Sequence, residues 1–426
     1  MSFLVWTTLF ASALVASLAI RAWLLARQVR HVALHRGEVP AAFRSSVELV
    51  AHQRAADYTL AKARLAHWQM VAGAAILLGW TLFGGLDTLN AAVRDTVAPR
   101  AGALAYEVAL VVAFVVVGAV LELPFEWYST FRLEQRFGFN RLTWRLWLAD
   151  AAKGVAIGAL IGIPLLAAVL WIMGAAGTAW WLWAWAAWMA IIVAAQMIVP
   201  TFIAPLFNRF EELKDAPLRA RVEALMARAG FAARGLFVMD GSRRSAHANA
   251  YFTGFGSAKR VVFFDTLLSR LAAGEVEAVL AHELGHFKLK HVLKRMLWMG
   301  FFSLAFLALL AWLANSPWFY TGLGVPPSMD RPGVALILFF LVLPVFTFAF
   351  GPLSSFYSRR HEFEADAFAS THASSRDLAS ALLKLHEDNA ATLTPDPLYA
   401  RFYYSHPPAV ERLAALVGRP SEPIAP

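Results

Sequence analysis

The stretch AVLAHELGHFKLKH places His282, Glu283 and His286 in the order H-E-x-x-H. On a helix, residues four apart project from one face, so both imidazoles reach a single metal ion. Glu283, one step round, faces the position left open for water. Zinc suits this set, because it accepts neutral histidine nitrogens and a carboxylate oxygen and keeps a fourth position for chemistry. A third ligand is expected downstream in RRHEFEADAFA, where Glu362, Glu364 and Asp366 lie on one helical pattern. Glu362 and Asp366 share a face at i, i+4. One could complete the metal sphere while the other holds a ligand histidine by its second ring nitrogen, and spacing leaves open which does which. A chance match of five letters is outweighed because the cluster flanks apolar spans, where ionisable groups are costly and usually functional.

The elements that position these residues are read from composition. Of 426 residues, 59% are hydrophobic and 16% charged, against about 45–50% and about 25% in soluble domains. Disorder is excluded, and the chain reads as a mainly helical, polytopic membrane protein with polar insertions. A membrane helix needs about 20 apolar residues. Seven stretches approach that length, near 3–20, 68–86, 104–123, 154–173, 179–200, 296–314 and 333–352. The first ends at Arg21, Arg27 and Arg30 and lacks a basic leader, so a retained span is expected rather than a cleaved signal. With seven crossings, 35 of the 38 Lys and Arg residues fall on one side of the membrane and 3 on the other. The positive-inside tendency then places the N-terminus outside and every motif above on the cytoplasmic face. The net charge of +9 is therefore an orientation signal, and no basic recognition motif points to nucleic acid. With no cysteine in the chain, disulfides, thiolate ligands and cysteine nucleophiles are excluded.

Domain organisation follows from the same pattern: spans 1–5 with basic loops over 1–200, a metalloprotease insertion over 201–295, spans 6–7 over 296–352, and a C-terminal metalloprotease segment over 353–426. Within the insertion, a helix is expected from Pro217 to Gly230, followed by two or three short strands in GLFVMDGSRRSAHANAYFTGFGSAKRVVFFD. The last segment reads as helices closed by a Pro-rich tail. Trp180, Trp181, Trp183, Trp185, Trp188, Trp312 and Trp318 gather at the outer interface, where indoles anchor. Arg243 and Arg244 read first as solvated or phospholipid-facing charges, and second as a greeting for a substrate carboxylate.

Six separated motifs carry a resemblance: RLEQRFGFN, PTFIAPLFNRFEEL, SAHANAYFTGFGSAKRVVFFDTLL, HELGH, EFEADAFA and SHPPAVERL. Over residues 120 to 415 the chain resembles the type I CAAX prenyl protease family of integral-membrane zinc metallopeptidases, as a bacterial inner-membrane member. The resemblance implies His282, His286 and Glu362 as ligands of one Zn2+ and Glu283 as the base. Asp366 would stand behind a ligand, and Asn249 would hold the substrate backbone beside an edge strand. His406 would stabilise the oxyanion, with Arg412 beside it. The implied fold is a seven-helix membrane barrel around a large water-filled chamber, closed at one end by the catalytic domain. The implied partners are membrane lipid and a peptide or protein substrate, with removal of the last three residues of prenylated CAAX sequences. Two positions depart from the family pattern: His361, where an apolar or aromatic residue is commoner, and Glu364, where glutamine is. A membrane quality-control metalloprotease is the nearest alternative. An ion-coupled transporter is the alternative from another class, although its ionisable groups would be expected at mid-membrane rather than at span ends.

Overall fold

The computed structural model describes residues 1–231, 235–253, 260–329 and 331–418. The Pro-rich end and residues 254–259 of the SAHANAY motif lie outside them. In chain order the elements are α1 (Phe3–Leu34), α2 (Leu49–Trp80), α3 (Gly85–Tyr128), α4 (Trp144–Ile157), α5 (Ile163–Ala175), α6 (Trp180–Ile198) and α7 (Ala204–Phe207). There follow β1 (Phe210–Glu212), α8 (Ala216–Arg228), β2 (Gly235–Met239), β3 (Ala250–Thr253), β4 (Arg260–Phe264) and α9 (Asp265–Leu268). The chain ends with α10 (Ala273–Lys288), α11 (His291–Ala314), α12 (Pro317–Thr321), α13 (Pro332–Thr347), α14 (Gly351–His372), α15 (Ser375–Asp388), α16 (Pro397–Tyr403) and α17 (Ala409–Val417).

Six helices among the described residues are long and apolar enough to cross a membrane: Phe3–Leu34, Gly85–Glu134, Trp144–Ala175, Gly177–Phe207, His291–Ala314 and Pro332–His372. Helix is the expected state for such runs, because it satisfies every backbone group within the segment. They expose large side chains such as Val155, Leu160, Trp183 and Phe350, which in water would be an association hazard. The expected span at 68–86 differs from the rest. It occupies the end of α2 and a turn before α3, and the polar first half of α2 keeps that helix outside the six. Two spans also outrun their apolar cores: α1 continues past the expected 3–20, and α13 runs through a short 3-10 turn into α14 as one rod. The helical pattern expected after the last span, with Glu362, Glu364 and Asp366, is carried on the extension of that span.

The membrane helices pack most tightly at one end, around Phe10, Leu86, Leu110, Leu310, Phe319 and Tyr320, all fully buried. That end is the far end of α11 from the HELGH helix. The expected tryptophan belt divides there: Trp183 and Trp188 face outward, Trp180 is buried, and Trp185 donates its indole N–H to the Gly300 carbonyl at 2.8 Å, tying α6 to α11.

The polar insertion forms a four-stranded sheet in the order β1-β2-β4-β3, so β1 joins the expected strands and β3 stands at an edge. β2 and β4 are parallel, while β1 and β3 are antiparallel to their neighbours. Asp215 caps α8 by accepting from Leu218 N at 3.0 Å, and Val222 and Leu225 of that helix bury against Val261 and Phe263 of β4 and Leu280 of α10. Burial of such side chains holds α10 against the sheet; truncating one costs about 2–5 kcal/mol.

Candidate active site

Helix α10 is fixed at both ends. Glu275, in its first turn, accepts the Ala272 N–H at 2.7 Å, the Ser380 hydroxyl at 2.6 Å and the Lys384 ammonium at 2.7 Å, which clips the helix start to α15. Toward its other end, Gly285 meets α14: a Cβ added there would lie 3.0 Å from Ala365 Cα and 3.2 Å from its carbonyl oxygen. A side chain at this position would need α14 to give by a few tenths of an ångström, so glycine keeps the approach close. Ala365 is itself fully buried, so two small residues bring the histidine helix and the carboxylate helix into backbone contact.

That contact brings three ligand atoms together. The Nε2 atoms of His282 and His286 are 3.2 Å apart; His282 Nε2 lies 3.4 Å from Glu362 Oε2 and His286 Nε2 lies 3.4 Å from Glu362 Oε1. Tetrahedral ligands at ordinary zinc distances of about 2.0–2.1 Å would be about 3.3–3.4 Å from one another. Glu362 Oε2 is buried without a hydrogen-bond partner, an orphaned acceptor that a cation would satisfy.

The proton inventory agrees with a metal. His282 Nδ1 lies 2.8 Å from Asp366 Oδ1, and a carboxylate only accepts, so Nδ1 keeps a proton and Nε2 is the nitrogen left to bind a cation in the cluster. Arg412 grips the same carboxylate with Nε at 2.8 Å and Nη2 at 2.6 Å, and its Nη1 stands 3.6 Å from Glu362 Oε2. In the metal-free protein, burial lowers the His282 pKa, but the Asp366 and Glu362 bonds outweigh it and hold it at about 9. A metal must therefore displace a proton there. Glu283 is raised above the ordinary carboxylate range, chiefly by burial; the charges of His282, His286 and Arg412 oppose the rise and that of Glu362 adds to it.

His406 joins the cluster, with Nε2 3.3 Å from Glu362 Oε1 and most of its ring exposed. Asn249 lies just before β3 and is exposed; its Oδ1 accepts from Ala250 N at 2.8 Å, and its carbonyl accepts from Phe264 N at 3.0 Å. α10 packs against β3, so the free edge of the sheet runs beside the histidine helix. The RLEQRFGFN motif supports that edge: Ala246 N donates to the Phe139 carbonyl at 3.1 Å, and Asn140 forms a bridge with Ser245. His247 stacks on Phe139, with Nδ1 2.9 Å from Asn389 Oδ1. Arg244 is not a free charge. It makes a bidentate pair with Asp150 at 2.9 and 3.0 Å and donates to Asn208 Oδ1 at 3.1 Å, so it braces the insertion against α4.

Sequence reasoning assigned no role to His291, which starts α11 directly after Lys290. Lys290 adopts φ 57°, and that left-handed turn folds the chain back so that His291 Nδ1 reaches His286 Nδ1 at 2.9 Å. The signal available in sequence was a third histidine five residues beyond the motif, outside any helical period of it.

Comparison with known proteins agrees with this geometry. The family model described as "CAAX prenyl protease N-terminal, five membrane helices" matches residues 28–209, and that of "Peptidase family M48" matches 212–420. "CAAX prenyl protease 1" of Saccharomyces cerevisiae is 31% identical over 433 residues, covering 96% of this chain and 95% of the relative. The chain belongs to the CAAX prenyl protease 1 family of M48 peptidases. Its Arabidopsis thaliana homolog is 37% identical over 305 residues, 70% of each chain. The crystal structure of S. mikatae Ste24p superposes with a TM-score of 0.90 at 30% identity, covering 96% of this chain and 99% of that one. The protein is thus an integral-membrane metallopeptidase of CAAX type acting on peptide or protein substrate, which sets the transporter reading aside.

Proposed function

We propose that the chain is a zinc endopeptidase that removes the C-terminal three residues of CAAX sequences bearing an isoprenyl thioether. The observation that supports this most is the convergence of two imidazole nitrogens, 3.2 Å apart, on one carboxylate whose two oxygens each stand 3.4 Å from one of them, a donor set that suits one zinc ion held by His282, His286 and Glu362. Bound there, zinc supplies Lewis-acid polarisation of a carbonyl and acidification of water. Glu283 takes the proton of the attacking water and returns it to the leaving amine, and its raised pKa suits both halves of that task. His406 Nε2, on the exposed side of the cluster, donates to the developing oxyanion, an interaction typically worth about 3–4 kcal/mol of barrier. Asp366 and Arg412 position this machinery: Asp366 fixes the His282 tautomer, and Arg412 balances the charge of both carboxylates. Asn249 holds the substrate backbone as it adds to the β3 edge.

Around this site we place seven crossings. The seventh is α2, whose 32 residues extend about 48 Å and whose apolar end at 68–80 enters the membrane. The five membrane helices of the N-terminal family model support that count. A water-filled chamber between the helices is supported by the concentration of buried side chains at one end of the bundle and by the 0% buried share of the most apolar part of Gly177–Phe207. The division at 200, 295 and 352 then gives alternating membrane and catalytic segments. The catalytic ones face the cytoplasm, the N-terminus faces outside a bacterial inner membrane, and lipid surrounds the whole. The test is hydrolysis of a farnesylated and an unmodified CAAX peptide of one sequence, side by side. Faster, chelator-sensitive cleavage of the farnesylated peptide is expected; equal rates would favour a general membrane protease.

A further inference from the structure

Beside the zinc cluster stands a second set of two histidines and a glutamate: His291, His361 and Glu364, whose ligand-type atoms also lie within 4.8 Å of one another. His291 and His361 are buried, and their rings stack at 3.9 Å with an interplanar angle of 5°. His291 Nε2 lies 3.0 Å from Glu364 Oε2, and Arg360 Nε donates to the other oxygen of Glu364 at 2.9 Å.

Counting protons along this row decides its use. Glu364 accepts only, so His291 carries its proton on Nε2 and presents a lone pair at Nδ1. The 2.9 Å contact between the two Nδ1 atoms then needs the proton of His286, which leaves the His286 Nε2 lone pair aimed at His282 and Glu362. A metal at His291 Nε2 would reverse every step. His291 would hold its proton on Nδ1, His286 would become the acceptor, and its own proton would move to Nε2, inside the first cluster. The two His-His-Glu sets cannot both hold a metal in neutral tautomers.

We propose that Glu364 and His291 form an orienting relay behind the zinc ligand His286, with the His361 ring clamping the relay histidine in plane. The relay does for His286 what Asp366 does for His282, through one imidazole more. It rests on the zinc reading of the first cluster and goes beyond it by giving positioning roles to His291, His361 and Glu364.

The test uses the full chain purified in detergent, with zinc as the probe. Zinc per chain is counted, and its dissociation constant is read by chelator competition. One zinc per chain is expected. His291→Leu, which cannot accept from His286, should weaken zinc about 10–100-fold. His291→Asn, whose Oδ1 stands where Nδ1 stood, should restore most of the affinity, which a purely packing role would not do. His361→Phe keeps the stack and should leave both affinity and stoichiometry near wild type. Equal zinc affinity in His291→Leu and wild type would overturn the relay. So would a second zinc lost in His361→Phe. A wild-type chain that takes no zinc would overturn the cluster reading itself, and the relay with it.

Discussion

Two clusters of the same composition, His-His-Glu, stand side by side on α14, one completed by α10 and the other by the first residue of α11. In one, His282, His286 and Glu362 turn lone pairs toward a common point. In the other, His291, His361 and Glu364 satisfy or stack on one another. The difference is where the protons lie. With its Nδ1–H held by Asp366, His282 turns its Nε2 toward the point it shares with His286 and Glu362. With its Nε2–H held by Glu364, His291 turns its Nδ1 to the ring of His286 instead.

The largest effect expected to separate the clusters is Glu362→Ala against Glu364→Ala. The first should abolish zinc retention and peptidase activity, while the second should keep one zinc at reduced affinity; metal analysis and a peptide assay read both. Glu283→Gln should keep zinc at wild-type stoichiometry yet lower kcat about 10²–10⁴-fold. Because the pKa of Glu283 is raised, and the base must be ionised to act, activity of the wild-type enzyme should fall on acidification at a higher pH than an ordinary carboxylate would give. A pH–rate profile with no acid limb above the normal carboxylate range would break that reading. Asp366→Asn should cost about 10–100-fold in zinc affinity. It also takes from buried Arg412 the carboxylate it grips, leaving Glu362 at 3.6 Å as the nearer remaining charge, so unfolding should ease by up to about 3–5 kcal/mol in thermal melts. The smallest effect should come from Gly285→Ala, which forces α14 outward at about 1–3 kcal/mol of stability and a modest loss of zinc affinity.

Much of this was legible from residue order. The i, i+4 rule put His282 and His286 on one face of a helix, and apolar run length outlined the spans. The second expected span was less legible, because charged residues and apolar ones share α2 and window averages blur its boundary. The choice among Glu362, Glu364 and Asp366 was not derivable from spacing. Glu362 and Asp366 share a face, so their division of labour depends on how α14 is rotated against α10, which the Gly285–Ala365 contact sets. Arg244 read as a free charge because its partners, Asp150 and Asn208, are distant in sequence.

By itself the sequence determined which residue types were present, at what helical spacing, and which stretches prefer lipid to water, because these depend only on side-chain chemistry and a fixed helical period. Only the tertiary structure decided which nitrogen of each histidine meets which carboxylate. That outcome depends on hydrogen bonds of about 3 Å between helices separated by dozens of residues, where sliding one helix by about one turn would exchange a ligand for its support.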